Sequence, residues 1–300
     1  MPSQQPRPVV DPALLNATPA TRWTNLGWWG DADLNTPYAD AACALASQVG
    51  RAADLRTGDI VVDIACGHGD SLRLWVEAFG VAHVIGVEPD AALGAAIRAR
   101  VAAWGLGDRI TIHTATAESF DLARIAPDAT AIVCVDAAYH FQTRAAWLRD
   151  LAATAAPGTR LGFTDLALRE APASSRLRWF AERAGIPAAN LWSIAAIPEA
   201  LQTAGFAEID VTDIGTAVID GFRAFVSRAR LRWLRRPRSG GWALLVTAWM
   251  LGQVRPALTM VAIGARVARR RAPGHHADAS GSASGSTSGR ASAETGQTSG

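Results

Sequence analysis

The 300-residue chain contains no lysine, so all 29 of its permanently basic side chains are arginines. Without an ε-amino group the protein cannot form a lysine Schiff base, which excludes that chemistry and the pyridoxal-phosphate enzymes that depend on it. The net charge is only +2, so bulk charge gives no reason to expect a nucleic-acid partner. The three cysteines, Cys43, Cys66 and Cys134, have neither the number nor the spacing of a zinc site or a disulfide framework.

Signals for secretion and for a packed core are missing at the two ends of the chain. No basic segment followed by an apolar run opens the sequence, so we expect a cytoplasmic protein. Residues 1–20 are rich in Pro and Gln, and residues 272–300 are mostly Gly, Ser, Ala and Thr. These compositions predict a flexible N-terminus and a disordered tail. Residues 21–271 remain for one domain with additions.

Strand-like and helix-like patterns alternate from residue 40 to residue 170, which predicts an α/β fold with helices on both faces of a mostly parallel sheet. A further pair of strands at 207–213 and 257–265 makes the predicted sheet seven-stranded and doubly wound. The other predicted strands are 59–64, 83–88, 110–114, 131–136 and 160–165, and the predicted helices are 38–53, 70–79, 91–105, 143–155 and 197–204.

The turn predicted after the first strand has the composition of a ligand-binding loop. Residues 61–71 read VVDIACGHGDS, in which Asp63 is followed by small residues at every second position, Ala65, Gly67 and Gly69. Small residues let the backbone approach a ligand, and the following helix start offers unpaired N–H groups. The spacing does not match the G-x-G-x-x-G of nicotinamide and flavin proteins, which argues against an NAD oxidoreductase. A strand–turn–helix without a ligand is the alternative.

A second acid follows the next predicted strand. Residues 83–90 read HVIGVEPD, so the apolar run ends at Glu88. In nucleotide-binding α/β folds the acid at this place accepts hydrogen bonds from ribose hydroxyls. Glu88 could alternatively cap the helix that begins near residue 91. Its spacing from the glycine-containing turn favours a cofactor site.

A third acid and a histidine follow the fourth predicted strand. Residues 131–141 read AIVCVDAAYHF, which places Asp136 and His140 in the loop after a buried strand. Ligands bind in open α/β sheets at the carboxyl ends of the strands. His140 at such a place is a candidate general base, and a packed core histidine is the alternative.

The fifth predicted strand, RLGFTD at 160–165, also ends in an acid. Because neighbouring strand ends meet at one edge of the sheet, Asp165 could lie near His140. A carboxylate there would fix the ring tautomer and stabilise the imidazolium. The alternative is that Asp165 caps the loop that follows.

The acid followed by small-x-Gly-x-Gly resembles motif I, D-x-G-x-G-x-G, of the class I S-adenosylmethionine-dependent methyltransferases. Ala65 replaces the first glycine of that motif. A methyl group is tolerable at that place if φ is negative, so we expect Ala65 to have a negative φ. A narrower resemblance, over residues 22 to about 225, is to the small-molecule enzymes of the erythromycin-sugar O-methyltransferase type. It depends on TNLGWW at 24–29, CVDAAYHF at 134–141 and GFTD at 162–165.

The resemblance implies a Rossmann-like methyltransferase fold with N-terminal cap helices at 22–55 and S-adenosylmethionine as cofactor. Family members usually have Tyr where this chain has Trp28, in a segment that closes over the methionine end of the cofactor. The implied cofactor-binding residues are Trp28, Asp63, Ala65, Gly67, Gly69, Glu88, which holds the ribose, Thr116 and Ala117, which lie near adenine beside Glu118, and Asp136, which lies near the methionine moiety.

The resemblance also implies an acceptor that is a small molecule of the natural-product type. His140 resembles the general base of sugar O-methyltransferases, with Asp165 as its helper. The segment 171–196, which contains Trp179, Phe180 and Trp192, would form a lid over the acceptor pocket. The DAAY at 136–139 lacks the two prolines of DNA amino-methyltransferases, so a nucleic-acid substrate is not expected.

The region 221–271 combines arginines with two apolar runs. Seven arginines flank Trp233, an apolar run extends from Trp242 to Val254, and a second run ends among arginines near residue 266. Neither run reaches the about 20 residues that span a bilayer. The region predicts a helical insertion at 221–256 followed by the last strand, and the alternative is a surface that contacts anionic lipid. The seven arginines are Arg223, Arg228, Arg230, Arg232, Arg235, Arg236 and Arg238.

Other functions stay open at this point. A C-methyltransferase or a cyclopropane-forming enzyme acting on a lipid or isoprenoid would share the fold and the cofactor. A protein that binds S-adenosylmethionine without catalysis would keep the same motifs. A homodimer is also possible, and no motif indicates a bound metal.

Overall fold

The computed structural model describes residues 11–18, 20–30, 36–235 and 240–268, except for the side chains of residues 232 and 233. The predicted tail at 272–300, residues 1–10 of the predicted flexible N-terminus, and Arg236 and Arg238 lie outside the described residues. The part of the chain that is described forms one compact unit.

Seven strands form one sheet, as the alternating pattern predicts. Their order across the sheet is β3-β2-β1-β4-β5-β7-β6, and β7 runs antiparallel to both β5 and β6 while the other pairs are parallel. The strand order reverses between β1 and β4, and open α/β sheets bind ligands at that point. The strands are β1 Ile60–Ile64, β2 His83–Val87, β3 Ile110–His113, β4 Ala131–Cys134, β5 Arg160–Leu168, β6 Phe206–Asp213 and β7 Leu258–Val267.

The helices agree closely with the apolar periodicity of the sequence. Each of the five predicted helices is present, with ends that differ by at most two residues from the prediction. The helices are α1 Pro12–Leu15, α2 Tyr38–Ala52, α3 Asp70–Glu77, α4 Ala91–Ala103, α5 Leu122–Ile125, α6 Arg144–Thr154, α7 Ser175–Ala184, α8 Ile197–Ala204, α9 Gly221–Arg228, α10 Arg230–Leu234 and α11 Gly241–Val254.

Both faces of the sheet are covered because successive residues of each central strand point to opposite sides. In β1, Val61 belongs to the hydrophobic cluster that also contains residues of α2, α3, α4 and α11, whereas Val62 belongs to the cluster that contains residues of α6 and α8. All four residues of β4 are buried. A near-continuous apolar strand is what a parallel sheet buried on both faces requires.

The helix α2 lies unusually close to the sheet because two strands have glycine beneath it. A Cβ at Gly162 of β5 would lie 2.6 Å from the carbonyl oxygen of Val49, and a Cβ at Gly264 of β7 would lie 2.4 Å from that of Ala52. Real Cβ atoms do not approach backbone oxygens so closely. The two glycines therefore set the distance between α2 and the sheet.

In two regions the structure either differs from the expectation drawn from the sequence or adds detail to it. In the N-terminal segment, predicted to be loose, Pro12–Leu15 form the short helix α1, and its Leu14 and Leu15 are buried in the core. The described residues 221–235 and 240–268 contain three inserted helices, α9 to α11, followed by the last strand. None of the helices within the described ranges combines the length and the apolar character that a membrane crossing requires.

Candidate functional site at the carboxyl ends of the strands

The turn after β1 adopts a left-handed backbone at every second residue. Ala65, Gly67 and Gly69 have φ angles of 60°, 56° and 83°. The expectation that Ala65 has a negative φ is therefore wrong. A residue with a Cβ is strained in this region, and such strain is found mostly at functional sites. Asp136, after the neighbouring strand β4, has a φ of 54°, so two strained residues lie at the ends of adjacent strands.

The two glycines of the turn are needed for different reasons. A Cβ built at Gly69 would lie 2.8 Å from the side chain of Ile97, so this glycine lets α3 and α4 pack together. A Cβ built at Gly67 would meet no atom within 4 Å. Gly67 therefore faces open space, which a ligand that approaches the backbone can use.

Glu88 lies beside this open space. Its Oε2 accepts a hydrogen bond from the backbone N–H of Gly67 at 3.2 Å, and its Oε1 accepts one from that of Asp90 at 3.1 Å. Burial raises the pKa of Glu88, and the two N–H groups oppose that shift. The alternative role as a helix cap belongs to Asp90, whose Oδ1 accepts hydrogen bonds from the N–H groups of Ala92 and Leu93.

Asp63 faces α3 rather than the open space by Gly67. It is 1% exposed, and its Oδ2 accepts a hydrogen bond from Nε1 of Trp75 at 2.7 Å. Burial raises its pKa to about 6. The structure thus assigns Asp63 to fixing α3 against β1, in contrast to the cofactor contact that the motif implies.

A salt bridge that the sequence analysis missed braces the same turn. The guanidinium of Arg100 on α4 binds both carboxylate oxygens of Asp70, at 2.9 and 3.0 Å, and also the carbonyl oxygen of His68. The N–H of Arg22 donates to Asp70 at 3.2 Å. Asp70 thereby links the turn to the N-terminal segment, which no local pattern signals.

The predicted adenine contacts lie in a turn after β3. Oγ1 of Thr116 accepts a hydrogen bond from the N–H of Ser119 at 3.1 Å, so the Thr116 side chain stabilises its own turn. Thr116 is exposed and Ala117 is half-buried. Glu118 accepts a hydrogen bond from the N–H of Gln142 at 3.0 Å, which ties this turn to the loop after β4.

The N-terminal segment around Trp28 is fixed over α2 by backbone hydrogen bonds. The N–H of Trp28 donates to the carbonyl of Ala41 at 2.8 Å, and Nδ2 of Asn25 donates to that of Ala42 at 3.0 Å. The Trp28 ring covers Gly30, where a Cβ would lie 2.2 Å from it. The N–H of Leu26, which lies between Asn25 and Trp28, donates to Oδ2 of Asp136 at 2.8 Å.

Asp136 joins the N-terminal segment to the loop after β4. Its Oδ1 accepts a hydrogen bond from the hydroxyl of Tyr139 at 2.8 Å, and its N–H donates to Oγ1 of Thr164 at 2.8 Å. Burial raises the pKa of Asp136 to about 6, against the lowering effect of the hydrogen bonds from Tyr139 and Leu26. A carboxylate so placed can also accept hydrogen bonds from a ligand's ammonium group.

His140 ends a 3-10 turn, Ala138–His140, just beyond Asp136. Its Nδ1 lies 3.2 Å from the carbonyl oxygen of Gly185, the residue that ends α7. A carbonyl oxygen only accepts hydrogen bonds, so Nδ1 carries the proton of a neutral ring and Nε2 carries the lone pair. The ring also packs on that of Tyr139, with centroids 4.4 Å apart.

Asp165 has a different partner from the one expected. Its Oδ2 forms an ion pair with the guanidinium of Arg144, and its Oδ1 accepts a hydrogen bond from the N–H of Leu166 at 2.9 Å. Both side chains of the pair are 1% or 2% exposed. Burial raises the pKa of Asp165 to about 6, and Arg144 opposes the shift. The carbonyl of Gly185, rather than Asp165, is the group that orients His140.

Arg144 and Asn190 connect Asp165 to the His140 loop. The second guanidinium nitrogen of Arg144 donates to the carbonyl of Asn190 at 2.8 Å. Nδ2 of Asn190 donates to the carbonyls of Tyr139 and Phe141, at 3.1 and 2.7 Å. These carbonyls flank His140, so the buried amide clamps the backbone on both sides of the ring. The sequence analysis missed both Arg144 and Asn190.

The aromatic residues of the segment 171–196 have separate surroundings. Phe180 is buried in the core, and Trp179 is 51% exposed. The guanidinium of Arg144 lies 4.0 Å from the ring centroid of Trp192, which is a cation–π contact. The segment 171–196 is therefore tied to the His140 loop through Asn190 and Gly185, and to α6 through Trp192.

The sequence and the fold are both similar to those of known proteins. The family model described as "Methyltransferase domain" matches residues 38–211. The chain is 25% identical over 253 residues to erythromycin 3''-O-methyltransferase of Saccharopolyspora erythraea, which covers 81% of this chain and 78% of that protein.

Solved structures share the fold at lower identity. The [4+2]-cyclase SpnF is 21% identical, with a TM-score of 0.65 that covers 85% of this chain and 92% of that one. A geranyl diphosphate C-methyltransferase from Streptomyces coelicolor is 17% identical, with a TM-score of 0.65 that covers 88% of this chain and 94% of that one. One of these proteins is named as a cyclase and the other as a C-methyltransferase, so the fold alone does not determine the reaction or the substrate.

Proposed function

The chain belongs to the methyltransferase domain family, and from that premise we propose that it methylates a hydroxyl group of a small natural-product-like acceptor. It is an S-adenosylmethionine-dependent methyltransferase of the small-molecule type. The proposal concerns the methylated atom, which we take to be an oxygen, and the residues that act on it.

The residues at the strand ends fit S-adenosylmethionine. That cofactor carries hydrogen-bond donors, the ribose hydroxyls and the ammonium of its methionine part. Two carboxylates can accept these hydrogen bonds. The Glu88 carboxylate lies beside the open space at Gly67, and the Asp136 carboxylate follows β4, which is two strands away from β2 in the sheet. We assign Glu88 to the ribose hydroxyls and Asp136 to the methionine end, with Trp28, Thr116 and Ala117 as further contacts.

His140 is the general base of the proposal. When bound, the cofactor supplies an electrophilic methyl group on a sulfonium. An acceptor hydroxyl attacks more readily as it loses its proton, and Nε2 of His140 can take that proton since Nδ1 is already bonded to the Gly185 carbonyl. The loop and the segment 171–196 exclude water from this exchange and hold the acceptor.

One observation carries the choice of oxygen, namely the tautomer of His140 that the Gly185 carbonyl imposes. A base whose Nε2 carries the lone pair can take the proton that a hydroxyl loses as it attacks the methyl group. The relative named as a 3''-O-methyltransferase supports the same choice.

The test combines an acceptor panel with one matched pair of variants. Purified chain is incubated with S-adenosylmethionine and hydroxylated macrolides and glycosides, and S-adenosylhomocysteine and the methylated product are measured by mass spectrometry. We expect His140→Ala to lower turnover about 100-fold while calorimetry shows unchanged cofactor affinity. The control is His83→Ala, at the opposite end of β2, which should keep full activity.

Three outcomes contradict the proposal. Full turnover in His140→Ala would leave the imidazole with a packing role. A product methylated on carbon would instead support the alternative of a C-methyltransferase or a cyclopropane-type enzyme acting on a lipid or isoprenoid. Saturable cofactor binding without turnover on any acceptor would indicate a non-catalytic binding protein.

A further inference from the structure

The exposed apolar side chains of the described residues are concentrated on three helices. Large hydrophobic side chains with more than two fifths of their surface exposed occur on α7, α10 and α11. Soluble monomers rarely expose a contiguous apolar patch without using it. The patch consists of Trp179 on α7, Leu231 and Leu234 on α10, and Trp242, Val246 and Trp249 on α11.

The helix α11 is apolar on all sides. Its fourteen residues include no charged residue, and Leu244, Ala248 and Leu251 face the core. Trp242, Val246 and Trp249 follow one another at helical spacing on another face, with exposed fractions of 55%, 45% and 60%. A helix that is hydrophobic all round needs a cover on its outer face. Nothing among the described residues supplies that cover.

A cavity of about 320 Å³ opens between α7 and α11. Trp179 and Phe180 line it from α7, Trp249 and Met250 line it from α11, and Arg176 adds a guanidinium. The cavity thus pairs apolar walls with one positive charge. It has the dimensions for a short stretch of hydrocarbon chain below an anionic headgroup.

The segment that carries α10 and α11 has charge of one sign, whereas α7 carries the exposed acid Glu182 beside its arginines. Residues 221–268 contain nine arginines and no Asp or Glu. Arg223 and Arg255 pair with Asp220, and Arg266 pairs with Asp54. Arg228, Arg230 and Arg235 are exposed beside the patch, and on α7 Arg176 and Arg178 are exposed as well.

We propose that this patch, formed by α7, α10 and α11, docks on an anionic lipid bilayer. Trp side chains favour the membrane interface, where the ring enters the apolar layer and the indole N–H stays hydrated. Arginines near the surface bind anionic headgroups. A second copy of the chain is a poorer occupant, because a symmetric dimer would bring two arginine-rich surfaces together.

Docking and the proposed site share one helix. The helix α7 presents Trp179 to the patch and ends at Gly185, whose carbonyl holds His140. A bilayer that covers α7 would bring apolar acceptors to the same side of the molecule as the His140 loop. Docking itself does not depend on which atom is methylated, so it is tested without a turnover assay.

The experiment measures binding of the full chain to vesicles. The chain is floated with vesicles of phosphatidylcholine alone and of phosphatidylcholine mixed with phosphatidylglycerol, at low and at high salt. We expect binding to the anionic vesicles, a blue shift of tryptophan fluorescence, and weakening by salt because the attraction is screened. The double variant Trp242→Ala/Trp249→Ala should bind about tenfold or more weakly.

A charge-reversal pair keeps the test specific. Arg228→Glu/Arg230→Glu should lose anionic binding about tenfold or more. The matched control is Arg124→Glu/Arg149→Glu, which changes the same charge through α5 and α6 on the opposite face of the sheet, and should bind like the wild type. Circular dichroism and cofactor affinity show that each variant is folded.

The proposal is overturned if the wild-type chain fails to float with anionic vesicles, or if the patch variants float like the control. Sedimentation velocity gives the competing answer. If the wild type self-associates, the Trp variant is monomeric and no vesicle binding occurs, the patch is an interface between copies of the chain instead.

Discussion

At the end of β2, Glu88 is held by the backbone N–H groups of Gly67 and Asp90, beside open space. At β5, by contrast, Asp165 is held by the side chain of Arg144, which is itself bound to Asn190 deep inside the protein. The first region is a short turn with room for a ligand. The second is a chain of buried side chains with no room between its members.

The difference shows how one edge of a sheet supports two tasks. Backbone donors are present whatever side chains the turn carries, so the hydrogen bonds that hold Glu88 do not depend on a partner side chain. The Asp165–Arg144–Asn190 chain transmits a change at one residue to the next, because each leaves a buried polar group when its partner is removed. The following predictions separate the two regions.

The largest effect is expected from Arg144→Met, which removes the partner of a carboxylate that is 1% exposed. An unpaired buried charge costs about 3–5 kcal/mol in the free energy of unfolding. Urea unfolding measures it, with Arg73→Met as the control. Arg73 forms an exposed pair with Glu77, whose loss costs about 0.5 kcal/mol or less. Equal effects of the two variants would contradict the buried chain.

The next largest effect is expected at the buried acids Asp63 and Asp165, of which only Asp165 has an arginine partner. Asp63 has no ion-pair partner among the described residues. Burial raises its pKa from 3.8 to about 6, although hydrogen bonds from Ser71 and Trp75 oppose the shift. Because the folded pKa exceeds the unfolded one, its contribution to stability is present below pH about 4 and is lost as the pH rises through about 6.

Asp63→Asn should therefore gain stability relative to the wild type over that interval, by about 1–3 kcal/mol at pH 7. Thermal unfolding from pH 4 to pH 8 measures the gain. Asp165→Asn sharpens the comparison because burial also raises the pKa of Asp165 to about 6, so its pH dependence should have the same direction. In that variant the buried Arg144 charge also loses its counter-ion, which adds a loss of stability that does not vary between pH 4 and pH 8. A pH-independent difference in Asp63→Asn would refute the assignment.

Asn190→Ala is expected to act on turnover through the His140 loop. Its amide holds the carbonyls on both sides of His140, and a misplaced base costs about 10- to 100-fold in kcat. Cofactor affinity should stay unchanged, and the pH profile of kcat should move with the freed imidazole. Asn190→Asp keeps the shape of the side chain but loses the amide donors, so its kcat should fall by a similar factor. Recovery of kcat in Asn190→Asp would instead indicate that the side chain acts through its shape alone.

Glu88→Ala should have the smallest effect that still separates the two regions. Losing the ribose contact is expected to weaken cofactor binding by about tenfold in calorimetry, with little loss of stability because the donors are backbone groups that water can reach. Glu77→Ala on α3, at the exposed pair with Arg73, is the control. Unchanged affinity in Glu88→Ala would remove Glu88 from the ribose.

The regular part of this fold is predictable from local pattern. Apolar runs that end in an acid locate β1 and β2, and the periodicity of residues 38–53 and 91–105 locates α2 and α4 within two residues. These features depend on contacts between neighbours in sequence. The seven-strand sheet follows once the final strand pair at 207–213 and 257–265 is included.

The side-chain chemistry of the site is less predictable because its partners are distant in sequence. Asp165 and Arg144 are 21 residues apart, and Asn190 and Tyr139 are 51 apart. Asp136, which has a left-handed backbone, accepts a hydrogen bond from the N–H of Leu26, 110 residues earlier in the sequence. No spacing rule within one segment indicates such pairings.

The two glycines beneath α2 carry a consequence for the height of the ligand pocket. The carbonyls that fix Asn25 and Trp28 belong to Ala42 and Ala41 of that helix, and Gly162 and Gly264 set how far the helix stands from the strands. A methyl group added at either glycine would push against the carboxyl end of α2, at Val49 and Ala52, whereas Ala41 and Ala42 lie at its amino end. We expect the helix to tilt in response and to shift the segment that carries Trp28, so the proposed cofactor site can be altered from positions outside it.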